Sequence, residues 1–261
     1  MRVTFLTQED PLYILPFFES FFGLDMETIE VTGIFACRSM GNRKRTKLLR
    51  ELLSLYGAPG FAKLLGLQAW ERLMAMARLS AIVRRHHSLK EVATTYRVPF
   101  KRINNPNRPE NVACIAAHRP DILVSVACPF ILKAPLLTLP TQDALNIHHA
   151  PLPRYKGMMP TFWQMFYGEN SVGITIHTMS EKLDQGKILH QGSAPILPGE
   201  TMHQLIRRSK RHGAQVMLQV LKQFAAGSPP PPLTVAEEGS YFTFPTTKQM
   251  QAFRSRGLRA I

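Results

Sequence analysis

The chain has 261 residues, 45% of them hydrophobic, which is enough to bury the core of one full α/β domain with an appendage and sets wholesale disorder aside. Its formal charge of +14, from 32 Lys and Arg against 18 Asp and Glu, favours anionic partners. Cys37, Cys114 and Cys128 stand far apart with no CxxC pair, which argues against a disulfide framework or a zinc knuckle and fits a reducing cytoplasm.

The opening Met1-Arg2-Val3-Thr4-Phe5-Leu6 meets Glu9 and Asp10 too soon for a secretion signal, so a cytoplasmic location is expected. Val3 to Leu6 and Ile29 to Cys37 read as β-branched strands around a helix from Pro11 to Phe22. Lys44 to Tyr56 reads as a basic, leucine-rich helix, Gly57-Ala58-Pro59-Gly60 as a break, and Phe61 to Val83 as a second helix, together a helical insertion over about 44–90. The second helix carries Lys63, Glu71, Arg72 and Arg78, which a bilayer-spanning segment would bury at high cost. Its leucines, methionines and Trp70 suit core packing or, alternatively, contact with an anionic membrane surface or a partner. Basic residues crowd Arg38 to Arg50 and Arg78 to Arg102, as solvated helix faces or as a docking surface for RNA, anionic lipid or a phosphorylated substrate; charge alone does not choose.

Further strands are expected at Val98 to Ile103, Asp121 to Ala127, Ala144 to His148, Gly173 to Met179 and Lys187 to Gln191, with helices near Glu110 and Phe162. That alternation predicts an α/β fold, a Rossmann-like, mainly parallel sheet flanked by helices. After Pro198-Gly199-Glu200 a helix runs to Phe224, Pro229 to Pro232 extend the chain, and the Tyr241-Phe242-Thr243-Phe244-Pro245 run should pack the tail onto the main body. The predicted division is a catalytic domain over 1–199, then a C-terminal helix, Pro-rich linker and docked tail over 200–261.

Thr7-Gln8-Glu9-Asp10 stands where a dinucleotide or P-loop glycine pattern would follow the first strand, and neither GxSxG nor HExxH occurs. The chemistry-bearing residues lie later. Asn146 and His148, two apart on a strand, share one face while Ile147 enters the core. The proline-stiffened loop from Ala150 to Gly157 would hold that strand end open at the carboxyl edge of the sheet, where α/β sites lie. The loop Ser180 to Gly186 would bring Asp184 near His148, where a carboxylate can orient an imidazole. A metal site of His148, His149 and His177 is disfavoured, because adjacent strand residues point to opposite faces; no metal is expected.

Taken together, N-I-H at 146–148, L-P-R-Y-K-G at 152–157 and L-D-Q-G-K-I-L at 183–189 resemble the folate-dependent formyltransferase family, which includes glycinamide ribonucleotide, methionyl-tRNA and amino-sugar formyltransferases. The resemblance runs from about Val98 to Leu197 and implies transfer of a formyl group from 10-formyltetrahydrofolate to a primary amine, with Asn146, His148 and Asp184 catalytic. It also implies a pterin pocket lined by Cys128, Phe130, Ile131 and Leu132 and by Met179, Glu181 and Leu183, although Phe130, Ile131 and Leu132 equally suit core packing. The acids at Glu9 and Asp10 disfavour a phosphate-bearing glycinamide ribonucleotide acceptor. The expected acceptor is a small amine, for instance on a nucleotide-linked or lipid-linked sugar. Charged initiator tRNA is the runner-up, since no room is seen beyond Phe224 for the C-terminal barrel of roughly a hundred residues that those relatives carry. A 10-formyltetrahydrofolate hydrolase and a non-catalytic basic binding module are the remaining alternatives.

Overall fold

Alternation along the first strand, β1 (Arg2–Gln8), sets the two faces of the sheet: Val3 and Phe5 enter one core cluster and Leu6 another. The computed structural model describes residues 1–37, 45–77 and 86–261. On the first face the phenylalanines of α1 (Leu15–Phe22) close over β1, with the Phe5 ring edge-on to Phe18 at 5.3 Å and to Phe21 at 5.1 Å. β2 (Glu30–Cys37) pairs in parallel with β1.

The helical insertion is α2 (Arg45–Met76), and the break expected at 57–60 is a kink within it. Gly57 takes φ +67°, which a residue with a Cβ adopts at a steric cost, and Pro59 follows at the start of the second half, where its missing N–H does no harm. Of the two basic stretches, residues 38–44 and 78–85 lie outside the described residues, as does the end of the predicted helix beyond 77.

A short α3 (Leu89–Thr95) follows, opened by the Ser88 hydroxyl accepting from Glu91 N–H, and leads into β3 (Phe100–Ile103). The chain continues through α4 (Pro109–Ala116), β4 (Ile122–Val126), α5 (Ala134–Leu137), β5 (Asp143–His148), β6 (Lys156–Gly157), α6 (Pro160–Phe166), β7 (Ser171–Thr178) and β8 (Ile188–Pro195). It ends with α7 (Met202–Ala225), β9 (Tyr241–Phe242) and α8 (Thr247–Ser255).

The seven-stranded sheet has the order β3-β2-β1-β4-β5-β7-β8, parallel from β3 to β5 and antiparallel over β7 and β8. Successive strands spread to one side of β1 and then, from β4 onward, to the other. The carboxyl ends of β1 and β4 therefore flank a switch point, where a crevice opens. Helices α1 and α7 cover one face through Phe17, Phe21, Met217 and Leu221, while Phe35, Ile115, Leu123 and Leu136 fill the other.

A third cluster ties the tail and the insertion to α6: Leu55, Leu64, Phe162, Trp163 and Phe253 share it. The tail returns as β9, parallel to β6, with Phe242 against the Trp163 ring at 4.7 Å and Trp163 Nε1–H donating to the Thr243 carbonyl at 3.0 Å. The sequence reading assigns no helix to α8, yet Thr246 and Gln249 form a capping box at its start and Phe253 stacks on Phe162 at 4.8 Å. No helix among the described residues is long and apolar enough to cross a membrane.

Phe253 is wholly buried where tail, insertion and α6 meet. Phe253→Ala should lower the unfolding free energy by about 3–5 kcal/mol, and urea denaturation checks this.

Candidate active site

Asn146 and His148 leave β5 on the side facing the crevice, as the strand period requires, and the antiparallel neighbour β7 sets His177 directly across from Asn146. Asp184 arrives from the loop after β7, turned back at φ +52°. Two glycines make that approach possible. A Cβ on Gly186 would lie 1.5 Å from the Thr178 carbonyl oxygen, and one on Gly157 would lie 2.2 Å from the Phe242 carbonyl oxygen. With the loops held that close, Gly157 N–H donates to Asp184 Oδ2 at 2.8 Å.

The hydrogen bonds assign the ring protons by elimination. Thr178 O is an acceptor only, so His177 Nδ1–H donates to it at 2.7 Å, and His177 Nε2 then accepts from Asn146 Nδ2–H at 3.0 Å. Burial, more than the nearby His148, lowers the His177 pKa below its usual value and favours that neutral ring. One N–H of the Asn146 amide is thereby engaged and the second is left over for the crevice. His148 Nε2–H donates to the Tyr155 carbonyl at 2.9 Å, which leaves Nδ1 facing Asp184. Asp184 Oδ1 lies 3.6 Å from His148 Nδ1 and 3.8 Å from His177 Nε2, ion-pair distances longer than a hydrogen bond. The Tyr155 carbonyl, rather than Asp184, makes the direct bond that orients His148.

The four side chains sit on the wall of a cleft of about 1180 Å³. Of the residues singled out for the pterin, Cys128, Phe130, Ile131, Leu132, Met179 and Leu183 line the same cleft. Leu132 is nearly buried in the core cluster beneath, whereas Ile131 and Leu183 are exposed at the surface. Glu181 is not part of that lining: its carboxylate accepts from Ala134 N–H at 2.9 Å and ties the two loops together. The sequence suggests His177 only as a disfavoured metal ligand. The signal that marks it is a histidine in a strand whose other buried positions are apolar or Thr, seven residues before Asp184.

On the far side the cleft is polar. Asp10 accepts from Leu12 and Tyr13 N–H, each at 3.0 Å, and Glu9 is held by Arg102 at 2.9 Å, so both acids after β1 are used within the fold. Burial raises the Asp10 pKa and pushes Lys210, which also lines the cleft, down to about 8. Lys210 Nζ donates to His149 Nδ1 at 3.2 Å, and burial keeps His149 well below its usual pKa. The Tyr13 and Tyr56 hydroxyls bond to one another at 2.9 Å, and Tyr13 OH lies 3.2 Å from His203 Nδ1.

The family model described as formyl transferase matches residues 76–221, more than half of the chain and the whole of the site built on β5 and β7. The chain belongs to the formyl transferase family. Among its relatives, a methionyl-tRNA formyltransferase of Trichlorobacter lovleyi is 33% identical over 139 residues, covering 53% of this chain and 44% of the relative. The chain thus spans about half the length of the curated relatives it matches. Two solved structures share the fold. A sugar N-formyltransferase from Shewanella sp FDAARGOS_354 has a TM-score of 0.56 at 19% identity, over 93% of this chain and 76% of that one. The sugar 3N-formyl transferase WlaRD, solved in the presence of dTDP and 5-N-formyl-THF, has a TM-score of 0.57 at 15% identity, over 100% of this chain and 82% of that one. In this family member the α/β sheet expected from the sequence carries an antiparallel edge, β7 and β8, and that edge supplies half of the site.

His149, His177 and His203 all titrate lower in the folded chain than in an unfolded one, chiefly through burial, and His203 falls to about 4. Between those folded values and about 6.5 the unfolded chain binds more protons, so stability is full above that range and declines as acid is added. The thermal midpoint should fall between about pH 7 and pH 5, and His203→Gln should flatten that dependence; differential scanning calorimetry across the range checks both.

Proposed function

We propose that the protein transfers a formyl group from 10-formyltetrahydrofolate to a primary amine, with Asn146, His148 and Asp184 as catalytic residues. The observation that carries this reading is the convergence of one free amide N–H, one imidazole nitrogen and one nearly buried carboxylate on a single cleft wall. The cleft suits the donor: its exposed Ile131 and Leu183 offer apolar surface for a flat ring, and the backbone of the two loops offers donors and acceptors beside it. When bound, 10-formyltetrahydrofolate supplies an activated formyl carbon and is consumed as a substrate.

Each side chain then has one task. As the amine lone pair forms the new C–N bond, the formyl C=O pair moves onto oxygen, and the second N–H of Asn146 donates to that oxyanion. A protonated His148 donates from Nδ1 beside it, because its Nε2–H is already given to Tyr155. Asp184 accepts the proton that the attacking nitrogen must lose. The oxyanion pair then re-forms the C=O as the old C–N10 bond breaks, and the proton Asp184 accepted passes to N10, leaving a formamide and tetrahydrofolate with Asp184 ionised again. His177 positions Asn146, holding its amide so that nitrogen rather than oxygen faces the oxyanion.

For the acceptor, the reading we favour is a small hydroxylated amine such as an amino sugar. Asp10, Tyr13, Tyr56 and Lys210 line the polar side of the cleft and match a ligand rich in hydroxyls. A second reading, charged initiator tRNA, is supported by the name of the relatives at 33% identity.

Asp184→Asn and His148→Ala should each lower kcat by about 10²–10⁴-fold with the fold intact. The assay is tetrahydrofolate formation from 10-formyltetrahydrofolate, without acceptor and then with amino-sugar nucleotides or charged initiator tRNA. Amine-dependent turnover supports transfer and names the acceptor class, and formate released without amine would make the protein a hydrolase. Variants that turn over like wild type would remove these residues from catalysis, and no turnover with any acceptor would leave a binding module.

A further inference from the structure

The second half of α2 buries one side of the helix and exposes another that is apolar. At 100° per residue, Ala62, Leu65, Gly66, Ala69, Trp70, Leu73 and Met76 fall within one arc, and all are exposed. Leu73 is 56% exposed and Met76 81%. The opposite side holds Leu64 in the core and the buried Glu71, whose carboxylate lies 2.6 Å from His87 Nδ1. The arc therefore contains no acid. Its two edges carry Lys63 and Arg72, both exposed. In the first half of the same helix Leu49 and Leu53 are exposed as well, next to exposed Arg50.

We propose that this outward face of α2 docks the protein onto an anionic lipid surface. The arrangement of charge selects that occupant. A polyanionic RNA needs cations where it lies, yet here the centre of the face is apolar and the cations stand at its rim. In a bilayer the same order is favourable: Leu65, Leu73 and Met76 enter the acyl boundary while Lys63 and Arg72 extend toward headgroup phosphates. Trp70, beside Lys63 on the helix surface, falls at the depth where aromatic rings settle. A second copy is a poor match, because it would oppose like charges at the rim and each chain already carries a formal +14.

Docking of this kind has a geometric consequence. Leu65 and Arg72 line the rim of the cleft as well as the arc, and Leu52, Leu55, Phe61 and Leu64 line the cleft from the same helix. A docked α2 brings the cleft mouth to the lipid surface. The proposal depends on no particular acceptor and stands apart from the formyl-transfer reading.

The test is flotation of the full chain with vesicles of phosphatidylcholine alone and of phosphatidylcholine mixed with phosphatidylglycerol. Wild type should float with the mixed vesicles, weakly with the neutral ones, and less at high salt. The Trp70 emission should shift to the blue on binding, a signal readable because Trp163 is already buried. The double variant Trp70→Glu, Leu73→Glu changes two exposed side chains that do not line the cleft. It should lose about tenfold or more in vesicle partition with its circular dichroism and thermal midpoint unchanged. Wild type that stays with the pellet of unbound protein, or a double variant that floats as well as wild type, would overturn the proposal. So would a double variant whose only defects are in self-association or in binding a tRNA.

Discussion

The register between β5 and the antiparallel β7 is the constraint on which the site depends. It sets Asn146 opposite His177 and Ile147 opposite Ile176, so that one pair of neighbours faces the crevice and the next enters the core. A slip of one residue would exchange these, burying the polar pair and exposing the apolar one. The same interaction that stabilises the sheet thus fixes the geometry of the candidate site. His177 spends one ring nitrogen on the backbone of its own strand and the other on Asn146, so the amide cannot turn over without leaving a buried acceptor unmet.

Around that pair, backbone groups rather than side chains do most of the positioning. The Tyr155 carbonyl fixes His148 and Gly157 N–H fixes Asp184, and both come from the loop between β5 and α6. That loop is itself pinned from outside, with Lys156 N–H donating to Ser240 O at 2.9 Å and Met158 N–H donating to Phe242 O at 2.8 Å. A tail remote in sequence therefore stands directly behind the loop that holds both catalytic candidates. Loss of β9 would reach the site through two carbonyls and two amides without removing any side chain from it.

Strong periodicity made much of this fold legible in the sequence. The strands of β1, β2, β4 and β5 read as short apolar or β-branched runs, and the break expected at Gly57 to Gly60 is where α2 kinks. The strand period put Asn146 and His148 on one face and the loop brought Asp184 near them, while a catalytic role for the three rests on the resemblance of their motifs to the formyltransferase family. Of the missed helices α3, α5 and α8, two had their caps written in the chain, Ser88 with Glu91 and Thr246 with Gln249, each three residues apart. Both are short and surrounded by polar residues, so they lacked the long apolar stripe on which a helix is usually recognised. The reach of Glu181 to Ala134 and the partnership of His177 with Asn146 were not legible, because each joins segments whose relative placement only the folded sheet decides.

The acids after β1 show how composition and geometry differ in what they exclude. Read as sequence, Glu9 and Asp10 put negative charge where an anionic ligand would sit. In the fold Glu9 is neutralised by Arg102, and Asp10 is turned onto the backbone of Leu12 and Tyr13, its ionised form disfavoured by burial. What faces the cleft there is a set of hydroxyls, a lysine whose pKa burial has lowered to about 8, and a histidine held neutral. Near neutral pH that lysine keeps its charge with a smaller margin than a surface lysine does. A deeply negative ligand would be welcomed by Lys210 but would have to approach Asp10 as well. A polar, hydroxylated one would meet donors and acceptors on both sides, which is the ground on which the proposed acceptor rests.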